Sequence, residues 1–266
     1  MLRLNENKTL VMGILNVTPD SFSDGGRYID TAVALKHAYQ LLEEGADIID
    51  IGAESTRPTA NAVSEDDEWQ RLEPVLKELC KDSAVTISID TYKANIARRA
   101  LDMGVSIIND IWGGLADSEM LRTVAEAGCT YIWMHNRETP PDGDGISALM
   151  AETENGIARC LDAGIQADRL WIDPGIGFGK TYEQNLHALR HLSEYTSLGY
   201  PVLLGTSRKS VIGNTLHVPP NERLEGSLAT VSLGVWAGVR MVRVHDVLPT
   251  VRTCRMVEAI LYGSGD

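Results

Sequence analysis

Eight short, nearly unbroken apolar runs recur along this chain, and helical stretches separate them from one end to the other. The runs fall at residues 10–15, 47–51, 86–89, 106–109, 131–134, 170–172, 201–204 and 241–244. A continuous apolar run of this length, rich in branched side chains, is the pattern of a parallel strand covered on both faces. Helices are expected near 31–44, 65–81, 93–103, 118–127, 147–163, 182–194, 221–237 and 248–261. In the first of these Asp30 is the expected N-cap, Ala34, Ala38, Leu41 and Leu42 share one face, and Gly45 stops the helix. Such an alternation has two solutions, an open doubly wound sheet or a closed barrel. Eight units in 266 residues favour the α/β class and a (β/α)8 TIM barrel. With no linker, solenoid repeat or low-complexity tract, residues 1–266 read as one domain.

Bulk properties narrow the partners. A net charge of −13 argues against nucleic acid, whose phosphates reward basic surfaces. It also requires that an anionic substrate be met by a local cluster of Arg and Lys. No run reaches the ~20 apolar residues of a membrane helix, and the N-terminal segment lacks the basic and apolar regions of a signal peptide. Cys80, Cys129, Cys160 and Cys254 are scattered, without metal-ligand spacing, and read as reduced thiols. A cytoplasmic enzyme with small-molecule substrates and no membrane association is expected.

The strands end on polar residues. Asn16, Asp90, Asn109, His135 and Asp173 each follow an apolar run, the seventh run leads into Ser207–Ser210, and the eighth carries Arg243 and His245. In a barrel such ends converge on the C-terminal mouth, where enzymes of this fold place their sites. Carboxylates and an amide (Asp90, Asn109, Asp173) come early and the basic groups come late. That sorting points to a ligand with a flat hydrogen-bonding head and a phosphate, since phosphate sites of this fold often follow strands seven and eight.

The loops at 16–30 and 52–64 are longer than the usual ~2–6 residues and read as a pair of lids. The only two phenylalanines, Phe22 and Phe178, lie in polar strand-end loops rather than in core runs, as if to grip an aromatic ligand. The glycine-rich segment 174–181, PGIGFGKT, is not a Walker loop, because Pro174 stands where its first Gly belongs. His187 and His191 have i, i+4 spacing but no intervening metalloprotease Glu, and read as helix surface. No nucleophilic triad stands out.

Five motifs carry a family resemblance: NVTPDSFSDGG at 16–26, ESTRP at 54–58, DPGIGFGK at 173–180, SRKS at 207–210 and RVHD at 243–246. In order and over nearly the whole chain, they resemble dihydropteroate synthase, of the pterin-binding family. The resemblance implies condensation of 6-hydroxymethyl-7,8-dihydropterin diphosphate with p-aminobenzoate, giving 7,8-dihydropteroate and diphosphate in folate synthesis. Sulfonamides compete with p-aminobenzoate in this family. Asp173 would accept the paired N–H groups of the pterin, Asn109 and Asp90 would take its remaining ring nitrogens, Lys209 its carbonyl and N5, and Arg243 its face. Asn16, Arg57, Arg243 and His245 would meet the diphosphate, with Mg²⁺ bridging its oxygens and Asn16 as a metal ligand. Phe22, Asp24, Thr56, Arg57, Pro58, Phe178, Lys209 and Ser210 would complete the loops and the p-aminobenzoate pocket. The implied assembly is a homodimer on late helices, although no helix shows a wide apolar stripe. Ala53 and Thr59 replace two glycines usual in the second loop.

Two rival functions use the same barrel. A methyltransferase handling methyltetrahydrofolate would not need the basic set at 207–210 and 243–245. A non-catalytic pterin binder would not need Asn16, Asp24, Thr56 and Arg57.

Overall fold

The computed structural model describes residues 7–18, 27–54, 63–140, 142 and 145–263, with the backbone alone at 27–30. Strands and helices alternate as β1 (Leu10–Asn16), α1 (Arg27–Glu43), β2 (Ile48–Gly52), α2 (Glu65–Leu79), β3 (Ile87–Asp90), α3 (Ala94–Asp102), β4 (Ile107–Asp110) and α4 (Met120–Ala127). They continue as β5 (Thr130–Met134), α5 (Ile146–Asp162), β6 (Leu170–Asp173), α6 (Tyr182–Arg190), α7 (Leu192–Thr196), β7 (Leu203–Leu204), α8 (Ser210–Leu216), α9 (Leu224–Trp236), β8 (Met241–Val244) and α10 (Val247–Tyr262). All strand pairs are parallel, in the order β6-β5-β4-β3-β2-β1-β8-β7. A parallel bridge between Ile172 and Val202 joins the two edges, so the sheet closes on itself. The expected (β/α)8 TIM barrel is the observed fold.

Strand side chains alternate between two faces, so each strand feeds two cores. Leu10, Met12, Ile48, Ile107, Ile132, Trp171, Leu203 and Met241 fill the barrel interior. Their neighbours one residue along, such as Val11, Ile49, Ile108, Tyr131, Ile172 and Val242, pack outward with Leu41, Leu72, Leu76 and Ala97 of the helices. Trp171 is fully buried at the base of the site. Truncating such a ring to Ala typically costs about 3–5 kcal/mol. The helices are capped where the sequence supplies it: Ser64 Oγ accepts the Asp67 N–H (3.1 Å) ahead of an acidic first turn in α2, and Thr181 and Gln184 form a capping box on α6.

Several boundaries differ from expectation. Helix α1 starts at Arg27, so Asp30 lies inside it rather than at its N-cap. The helix expected at 182–194 breaks at His191, whose ψ of 24° interrupts the ladder and separates α6 from α7. An additional short helix, α8, occupies residues expected to be loop, and α9 begins three residues later than expected, after a 3₁₀ turn at Pro220–Glu222.

Candidate active site

The inward parity that builds the interior core continues upward to the ends of the strands. Asn16, Gly52, Asp90 and Asn109 are register partners on β1 to β4, and Asp173 is the inward residue at the end of β6. Gly205 and Arg243 continue the same parity on the β7 and β8 side. A Cβ at Gly205 would lie 3.7 Å from Asp173 Oδ2 and 3.8 Å from Lys209 Nζ, so this glycine is the floor on which those two groups face each other.

The polar groups engage one another. Arg243 donates from Nε to Asp50 Oδ2 (2.6 Å) and from Nη2 to Asp90 Oδ2 (2.7 Å). Asn109 Nδ2 donates to the same Asp50 oxygen (3.1 Å). Burial, opposed by Arg243, raises the Asp90 pKa to about 7. Burial works against the charge on Arg243, but Asp50 and Asp90 outweigh it and hold the guanidinium pKa above its ordinary value. Asp173 accepts the Gly175 N–H (2.7 Å), and burial raises its pKa while Lys209 opposes the shift. Lys209 donates to the Ile176 carbonyl (2.5 Å) and stands 4.6 Å above the centre of the Phe178 ring. Burial pulls its pKa down to about 8, with Asp173 holding it up. His245 is pressed down to about 4 by burial and then by Arg243 and Arg208. It is therefore neutral at pH 7, with Nδ1 3.0 Å from Ser207 Oγ.

Two devices aim these groups. Arg208 adopts a left-handed conformation (φ 58°), which is uncommon outside glycine, and turns the chain so that Lys209 enters the mouth. It is locked there by a fork onto Asp246 (3.0 and 2.6 Å), by Ser227 Oγ on its N–H and by Arg223 on its carbonyl. On the outer side, Lys180 donates to the carbonyls of Gly175 and Phe178 (both 3.0 Å) and to His135 Nδ1 (2.9 Å). The His135 Nε2 proton then serves Glu152 (2.8 Å), which pairs with Arg137. Burial, then Lys180, lowers the His135 pKa to about 4, so the ring accepts from Lys180 rather than competing with it. Gly175 must be glycine: its φ is +64°, and a Cβ would collide with the His135 carbonyl oxygen.

The second loop is tied at both ends. Lys93 Nζ bonds Glu54 and Glu68 (both 2.6 Å) and the Val63 carbonyl (2.7 Å), so one ammonium spans the chain on either side of residues 55–62. Ala53 is buried, gives its carbonyl to Arg71 (2.8 Å) and does not have a positive φ, so its backbone places no demand for glycine.

Of the residues singled out in the sequence, Asp90, Asn109, Asp173, Lys209 and Arg243 come together, with Asn16, Phe178 and His245 at the same mouth. Ser210 is exposed as the first residue of α8. Phe22, Asp24, Thr56, Arg57, Pro58 and Thr59 lie outside the described residues. His135 is a correction: β5 sends Ile132 inward, which puts His135 on the outer face, against α5 and Lys180 and away from the mouth. Asp50 is a site residue that the sequence does not single out. Its one signal is a carboxylate in the middle of an apolar strand, at inward parity, two residues below Gly52.

A barrel with its strand ends so furnished belongs to the (β/α)8 enzymes that hold a polar ligand at the C-terminal mouth. A family model described as pterin binding enzyme matches residues 12–245. The chain is 48% identical to the dihydropteroate synthase of Bacillus subtilis, covering 98% of this chain and 91% of that protein. It is 44% identical to that of Escherichia coli, covering 94% and 91%. Among solved structures, dihydropteroate synthase from Clostridium difficile in the presence of pteroic acid superposes with a TM-score of 0.94 at 45% identity, over 98% of this chain and 99% of that one. The Xanthomonas albilineans dihydropteroate synthase with 4-aminobenzoic acid gives 0.91 at 40% identity, over 96% and 94%. The chain belongs to the pterin-binding enzyme family and, within it, to the dihydropteroate synthases.

Proposed function

We propose that this enzyme joins 6-hydroxymethyl-7,8-dihydropterin diphosphate to p-aminobenzoate at the barrel mouth, releasing diphosphate and 7,8-dihydropteroate. The observation that carries this reading is the inward set Asp90, Asn109, Asp173, Lys209 and Arg243. It combines hydrogen-bond acceptors for a flat heterocycle with cations for its carbonyl and its leaving group. Asp173 accepts the amino and ring N–H pair, Asn109 and Asp90 take the other ring nitrogens, Lys209 donates to the carbonyl and N5, and Arg243 covers the ring face. Asn16, Arg57, Arg243 and the neutral His245 bind the diphosphate. Phe22, Asp24, Thr56, Arg57, Pro58, Phe178, Lys209 and Ser210 form the loops and pocket for p-aminobenzoate.

The bond between the exocyclic methylene and the diphosphate oxygen breaks, and the leaving group takes the electron pair. The dihydropterin ring stabilises the resulting methylene cation, the aryl amine nitrogen bonds to it, and the nitrogen then loses a proton. Because the amine is already neutral at pH 7, no strong general base is required. Catalysis rests on positioning and on charge stabilisation of the leaving group.

Mg²⁺ belongs to this reading. Among the described residues no cluster of three His, Cys, Asp or Glu side chains forms a metal site. The ion fits as one shared with the substrate: Asn16, exposed at the end of β1, would offer its amide oxygen, and diphosphate and water would supply the remaining ligands. Bound there, it would neutralise charge on the departing diphosphate.

We also place the enzyme in the cytoplasm, as a homodimer. Its four cysteines are unpaired, three of them buried, which suits a reducing compartment. No described helix is long and apolar enough to cross a membrane. Leu233 and Trp236 of α9 and Met256 and Ile260 of α10 are each about 60% exposed, an apolar face that suits a second copy. A groove of about 900 Å³ lined by Leu189, Ile212, Leu216, Leu233 and Trp236 continues it.

The test is diphosphate release and pteroate formation with both substrates. Wild-type enzyme should require p-aminobenzoate for the product, and Asp173→Asn should lose about 10²–10³ in turnover while keeping its melting temperature, as expected for removal of one preorganised polar group. Near-normal turnover in that variant overturns the assignment.

A further inference from the structure

Asp50 has no part in the chemistry proposed for the site, yet the polar floor of the mouth converges on it. Its side chain is completely buried, two residues deeper in the barrel than Asp90, which retains 8% exposure. One oxygen, Oδ2, accepts both Arg243 Nε and Asn109 Nδ2, while Oδ1 has no hydrogen-bond partner among the described residues. The neighbouring inward residue on β3, Ser88, is also fully buried and unpartnered at Oγ. A buried carboxylate is expensive unless a charge compensates it. Here the compensating charge is Arg243, which Asp50 grips at the nitrogen nearest the backbone, leaving the far end of the fork for Asp90.

We infer that Asp50 is the positioning residue of the pterin site: it anchors Arg243 permanently and fixes the orientation of Asn109, while the contact between Arg243 and Asp90 is the exchangeable one. This rests on the proposed dihydropteroate synthase reaction. A heterocycle bound at the mouth draws on the same Asp90 carboxylate and the same end of the Arg243 guanidinium, so it competes with the bond between them. The arm at the rim, on the partly exposed carboxylate, faces the ligand and is the one to yield; the arm on Asp50 is sealed beneath it. In addition, Asp50 Oδ2 accepts the Asn109 amide N–H, which holds the nitrogen end of that amide downward and opposes the flip that would exchange donor for acceptor at the pterin. The guanidinium is thus held at one end and free to swing at the other.

Two measurements test this. The first uses wild-type enzyme crystallised with 6-hydroxymethylpterin. The expected result keeps the Arg243 Nε–Asp50 and Asn109–Asp50 bonds and loses the Arg243–Asp90 bond. A complex in which Arg243 leaves Asp50 and stays on Asp90 overturns the inference, and this result does not depend on any variant folding. The second is a double-mutant cycle on diphosphate release. Asp50→Asn should lower turnover about 10- to 100-fold, the range expected for one charge-assisted hydrogen bond. In an Arg243→Lys background, which lacks the fork, the same change should cost less than about threefold. A purely structural role would cost the same in both backgrounds, and that additivity would refute the proposal. Absence of wild-type turnover would instead sink the proposed reaction, so the two failures remain distinct.

Discussion

At Lys209, burial and charge pull in opposite directions. Burial brings the ammonium down to about 8 and Asp173 resists, so the group carries its positive charge below that pH and loses it above. Affinity for the pterin headgroup should therefore fall about tenfold per unit as pH rises past about 8. The limb should vanish in Lys209→Arg, whose guanidinium stays charged; ionisation of the ligand itself is common to both proteins. A limb that survives the substitution would exclude Lys209 as the titrating donor. This residue, like Asp90, Asn109, Asp173 and Arg243, is legible in the sequence because it lies at a strand end, where polar type and position coincide. Asp50 is not, since an apolar run with one carboxylate in it reads simply as a strand. His135 misleads by a single residue: strand ends say that a polar group is near the mouth, but only the pleat says on which face.

The staple at Lys93 makes a prediction for the second loop. Glu68 is 1% exposed and depends on this ammonium, which also holds Glu54 and Val63. Burial raises the Glu68 pKa, and Lys93 is the principal opposing influence. Lys93→Met should cost about 3–5 kcal/mol, the usual consequence of stripping one partner from a buried pair. Thermal unfolding should show Lys93→Met/Glu68→Gln recovering most of that loss, whereas an equally unstable double variant would mean that the ion pair is not the cause. At this scale the strands are predictable from their apolar runs to within a residue or two. Helix α8 is not: its seven residues include Gly213 and β-branched side chains, and no side chain caps it. It forms because the left-handed Arg208 redirects the chain into it and Arg223 clamps both its ends, through the carbonyls of Arg208 and Val218. These are tertiary causes that local propensity does not contain.

The whole molecule carries a charge of −13, so two copies repel at long range while the apolar face on α9 and α10 favours contact. The proposed homodimer should therefore tighten with salt, and Trp236→Glu should convert it to monomer by light scattering at micromolar concentration. A wild-type protein that is already monomeric there would remove the proposal. No single helix shows a wide apolar stripe in the sequence because the exposed residues are shared between two helices. The same acidic shell bears on the site within the barrel. Among the described residues, Asp50, Asp90 and Asp173 are met by Arg243 and Lys209, with Lys180 acting on Asp173 from the outer side. A diphosphate approaching a molecule of this net charge is not drawn in from a distance, and its bonds are made by trading partners after arrival. In stopped-flow binding, added salt should therefore not slow arrival and should act mainly on escape, so that the enzyme is selective through how long a substrate stays rather than how often one comes.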